Sequence, residues 1–84
     1  MIHEIRVSDD KGTVWINDDE GSCIGRFSRK FGIDVHNSVT ALMNGEPHCL
    51  FCTHEPAGEA EWKLFIEAMS RNHAIEVDSS VLQF

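Results

Sequence analysis

One apolar stripe constrains this chain more than any other feature. Trp62, Phe65, Ile66 and Met69 fall at i, i+3, i+4 and i+7, the spacing that lines up one face of an α-helix. On another face Glu59, Lys63, Glu67 and Arg71 form an i, i+4 ladder of alternating sign. Pro56 stands where a helix start tolerates proline, acids precede Arg71 along the helix dipole, and Asn72 suits an end. The spacing predicts a helix over about 57–72. A helix with a single stripe needs one partner surface, and the rest of the chain must supply it.

That surface reads as β. Before the helix the chain is punctuated by Gly, Asp and Asn. Ile2, Ile5 and Val7 suggest a first strand, and Ser8-Asp9-Asp10-Lys11-Gly12 a turn in which Gly12 takes a positive φ. Thr13 to Asn17 is β-branched and aromatic, Asp18 to Ser22 is a turn, and Cys23 to Arg29 is a third strand. After Lys30-Phe31-Gly32, the run Ile33-Asp34-Val35-His36 alternates apolar and polar. Residues 37–43 are ambiguous, since Val39, Ala41 and Met43 fit a strand and Val39, Leu42 and Met43 a helical turn; a strand is the favoured reading, because Asn44-Gly45-Glu46-Pro47 is a turn and His48 to Cys52 its return. Ala74 to Val77 reads as a last strand, and the tail Val81, Leu82, Phe84 folds back or meets a partner. The expected fold class is α+β: a mostly antiparallel sheet built from hairpins, with the helix packed on one face, in a single small domain over 1–84. At 84 residues there is room for one core only.

Charge narrows the function classes. Lys plus Arg is 7 against 14 for Asp plus Glu, a net charge of −7. Such a surface repels nucleic acid and anionic lipid. No apolar run reaches the roughly 18 residues of a membrane span, and Met1-Ile2-His3-Glu4-Ile5-Arg6 lacks the pattern of a secretory leader. Three cysteines, Cys23, Cys49 and Cys52, are an odd count for a disulfide scaffold, so free thiols in a reducing cytoplasm are expected.

Several groupings carry candidate chemistry. His48-Cys49-Leu50-Phe51-Cys52-Thr53-His54 contains a C-x-x-C half-site for zinc, which His54, His36, His48 or Cys23 could complete. Against it, there is no second half-site, and in a regular strand Cys49 and Cys52 point to opposite faces. Small buried thiols are the simpler reading, and no cofactor is expected. Thioredoxin-like redox chemistry needs the first Cys at a helix N-terminus, which is absent here. A nucleophile at Cys49 or Cys52, activated by His36 or His54 and oriented by Asp34, is not forced by any spacing. The chain is short for a deep pocket, so an enzyme is disfavoured. His73, near the helix end, reads as a dipole partner. The acidic turn 17–21 misses the EF-hand register. Arg26, Arg29 and Lys30, interleaved with Phe27 and Phe31, form the one basic stretch and a nucleic-acid reading that the −7 charge opposes. Trp15 becomes a binding anchor if it faces outward, or core if Val14 and Ile16 do. The leading expectation is a non-enzymatic protein-interaction module that binds a protein partner or a second copy of itself. A zinc-stabilised domain and a nucleic-acid binder are the alternatives.

Overall fold

The computed structural model describes residues 3–84. Four strands come first, β1 (Glu4–Val7), β2 (Thr13–Asn17), β3 (Cys23–Ser28) and β4 (Gly32–His36). A short helix α1 (Val39–Met43), strand β5 (Cys49–Cys52), the long helix α2 (Glu59–His73) and a 3-10 turn (Ser79–Val81) follow. The five strands form one antiparallel meander in the order β1-β2-β3-β4-β5, and α2 packs on one face. The α+β architecture is therefore the expected one. Ile2, placed in the first strand by its sequence, lies outside the described residues.

The core lies between the two layers. Val14, Ile16, Phe27, Ile33 and Val35 come from the sheet, and Trp62, Phe65 and Met69 from α2. The Phe27 ring sits 5.0 Å from Trp62, edge-on, and 5.9 Å from Phe65. Such contacts add about 0.5–1.5 kcal/mol beyond burial. At Gly25 the side chains of α2 press onto the sheet backbone: a Cβ there would lie 2.6 Å from Met69 Sδ.

Local chemistry moved several boundaries. α2 starts at Glu59, with the Glu61 carboxylate accepting from the Gly58 amide at 2.8 Å, so Pro56 precedes the helix. It runs one residue past Asn72 to His73 and is capped by Ala74, left-handed at φ 55, while the Asn72 side-chain amide donates back to the Ala68 carbonyl. In the β1–β2 turn Lys11, not Gly12, is left-handed, at φ 59. Asp10 and Ser8 accept from the Gly12 amide and Ser8 also from Thr13, which locks that geometry without glycine.

Two expected strands are absent. Residues 39–43 are helical because the Ser38 hydroxyl caps the turn by accepting from Ala41 N, and Gly45, at φ 85, lies just beyond the Asn44 end. Val39 and Met43 are left on the surface. Residues 74–77 pair with no strand among the described residues, yet Ile75 and Val77 are buried against the core. The tail folds back. Leu82 is buried, Trp62 Nε1 donates to the Ser79 carbonyl at 3.0 Å, and Arg29 donates to the Gln83 carbonyl at 2.6 Å with its guanidinium 4.4 Å from the Phe84 ring centre.

Candidate functional site

The helix leaves one sheet face open, and the register states what lies on it. Arg6, Trp15, Arg26, Asp34 and Cys52 are successive cross-strand partners, a row running from β1 to β5. Val14 and Ile16 face the core, so Trp15 is outward and half-buried. Its two arginine neighbours are each committed to an acid. Arg26 pairs with Asp34, and Arg6 with Glu4 at 2.5 Å, a contact that holds the Glu4 carboxyl below its ordinary range.

The basic stretch is dispersed. Arg26 lies on the open face in its ion pair, Arg29 is turned to the C-terminal tail, and Lys30 is exposed in the β3–β4 turn. Phe31 is 69% exposed while Phe27 is fully buried, so the interleaved aromatics do not form a stacking platform. The acidic turn is closed on itself, with Asp18 Oδ1 accepting from the amides of Glu20 and Ser22.

The cysteines depart furthest from expectation. Cys49 and Cys52 are joined in a disulfide, and Cys23 alone is free. The alternation of a regular strand would separate the two sulfurs. It fails because β5 is bulged: Val35 pairs with Phe51 but His36 pairs with Cys49, so Leu50 is the inserted residue. Leu50 and Phe51 then share the helix side, and Cys49 and Cys52 share the open face, with a Cα separation of 6.3 Å. Sequence reasoning missed this because a bulge adds one residue without a composition signal.

Imidazoles gather at the same corner. His36 lies opposite Cys49, and its ring centre is 4.5 Å from that of His48. Burial, followed by the neighbouring His48, lowers the His36 pKa, and its Nδ1 is buried without a hydrogen-bond partner. His73 Nε2 sits 2.7 Å from the His36 carbonyl, tying the end of α2 to β4. His54 lies past the end of β5, exposed. In this disulfide-bonded form no three His, Cys, Asp or Glu side chains among the described residues are grouped as a metal site. Neither bonded sulfur is available as a nucleophile.

Comparison with protein families, curated proteins and solved structures finds no match. No helix among the described residues is long and apolar enough to cross a membrane.

The last element of the site is an edge. β1 and β5 are the two edge strands. β1 is guarded by Glu4 and Arg6, as edges exposed to solvent commonly are. β5, Cys-Leu-Phe-Cys, carries no charge. Beside it runs a groove of about 330 Å³ lined by Leu50, Phe51, Leu64, Glu67, Ala68 and Arg71 among others. Leu64 is 47% exposed, the one large apolar residue on α2 that the stripe did not include. Its excess over that stripe was the available signal.

Proposed function

We propose that the protein is a non-enzymatic interaction module that accepts an extended segment of another protein along the free edge of β5. The observation that supports this reading most is the pairing of an unguarded strand edge with an apolar groove beside it. An incoming strand would extend the sheet by main-chain hydrogen bonds and set alternate side chains against Leu50, Phe51 and Leu64. The net charge of −7 favours a segment with basic residues. A second copy of the chain is the other occupant, and it carries the opposite salt signature. Screening weakens a basic partner's binding, whereas it strengthens contact between two acidic copies. A cytoplasmic setting belongs to the same reading: Cys23 has no fourth cysteine to pair with in this sequence, and a bridge with one exposed partner, Cys49, is of the type that reducing compartments open.

Selection from a displayed peptide library tests the proposal. Extended sequences with alternating apolar and basic residues should be enriched, and Leu50→Lys or Leu64→Glu should abolish their binding while circular dichroism stays unchanged. No enrichment, or binding indifferent to both substitutions, would remove this reading. Light scattering across concentration and salt reports the homodimer directly.

A further inference from the structure

We propose that the corner of β4 and β5 on the open face is a metal site that reduction unlocks. With the bridge broken, the thiolates of Cys49 and Cys52 and the imidazoles of His36 and His48 hold one Zn²⁺. Two sulfurs and two nitrogens are the donor set that tetrahedral zinc prefers. The bulge at Leu50 is what makes the set, because it puts both sulfurs on one face of a strand whose ordinary alternation would part them. Cys49 lies directly opposite His36, and the His48 ring lies tilted beside the His36 ring at 4.5 Å between centres. His36 Nδ1 has no hydrogen-bond partner among the described residues, which leaves a nitrogen ligand uncommitted at the corner. With Zn–S bonds of about 2.3 Å, tetrahedral geometry needs the sulfurs about 3.8 Å apart, which the present Cα separation accommodates. Both flanks of β5 are pinned, the Asn37 amide donating to the His48 carbonyl at 3.0 Å and the Thr53 amide to the Ile33 carbonyl at 2.8 Å. Asp34, opposite Cys52, is held by Arg26 and stays out of the set. His54, a ligand candidate by sequence, is replaced by His48.

The chemistry balances with a dithiol as reductant. Its thiolate attacks the exposed Cys49 sulfur, its second thiol closes on the first, and two electrons and two protons pass to the cysteine pair while the reductant becomes a cyclic disulfide. Zn²⁺ then displaces the two thiol protons to water and binds both imidazoles in their neutral form.

Cobalt(II) titration of the full chain tests the site, with Zn²⁺ as competitor. The reduced, desalted protein should develop thiolate-to-cobalt charge transfer and tetrahedral ligand-field bands at one ion per chain, displaced by Zn²⁺. The oxidised protein should develop neither. Cys23→Ser and His54→Ala should leave the titration unchanged. His48→Ala, at an exposed position, and His36→Ala should each weaken binding by about tenfold or more. Octahedral cobalt, one ion per two chains, equal binding by the oxidised form, or indifference to His48→Ala would each overturn the proposal.

Discussion

Gly32 and Ala74 are mirror cases of one physical rule. Gly32 sits at φ +105, and a Cβ there would lie 2.6 Å from the Thr53 carbonyl oxygen and 2.9 Å from that of Glu55. Gly32→Ala should cost about 3 kcal/mol, read as a lower midpoint in urea unfolding, since neither backbone strain nor clash can relax cheaply. Ala74 already occupies the left-handed end of α2, where glycine is the unstrained residue, so Ala74→Gly should stabilise by about 1 kcal/mol. His36 supplies a pH dependence. Its folded pKa lies below the ordinary 6.5, so the unfolded chain binds the extra proton first as pH falls. Its contribution is complete above 6.5 and is lost as pH drops from there toward the folded value. The melting temperature should fall over that window, and His36→Gln should flatten the step. At this scale the sequence was a fair guide to turns but not to which turn residue carries the positive φ. Glycine looked required at position 12, yet side-chain acceptors at Ser8 and Asp10 placed that conformation on Lys11.

Among the elements, α2 was legible because a strong 3.6-residue period is a property of many residues together. β2 to β4 were legible from β-branched alternation between turn signals. α1 was not. Its five residues suit either state, and one hydroxyl, that of Ser38, decided the matter. β5 was found, but its bulge was hidden, and with it the shared face of the two cysteines. The basic stretch misled because sequence adjacency is not surface adjacency: Arg29 is spent on the tail. Removing that clamp gives a test. Arg29→Ala loses the bond to the Gln83 carbonyl and the stack on Phe84, and should cost about 1–2 kcal/mol with faster amide exchange across residues 79–84. If stability and exchange are unaltered, the tail is held by the burial of Leu82, the packing of Val81 and the Trp62–Ser79 hydrogen bond without the Arg29 clamp.

For the molecule as a whole, acidity acts through a few carboxylates. Hydrogen bonding from Arg6 lowers Glu4, from Ser8 and then the Gly12 amide lowers Asp10, and from Ser80 lowers Asp78. Each stabilises the fold above its ordinary pKa of 4.5, 3.8 and 3.8 and loses that contribution as pH falls through the lower folded value. Acid unfolding should therefore steepen below about pH 4, and added salt should blunt it, since all three are surface groups. A thermal melt series over pH and salt checks both. The meander order has a further outcome during synthesis. Every strand leaves the ribosome before the segment that roofs Val14, Phe27 and Val35, so nascent chains display a bare, oily sheet until Trp62 and Phe65 emerge. A fragment stopped at Gly58 should clump or bind holdase chaperones, whereas a chain that includes α2 hides that surface beneath its own helix.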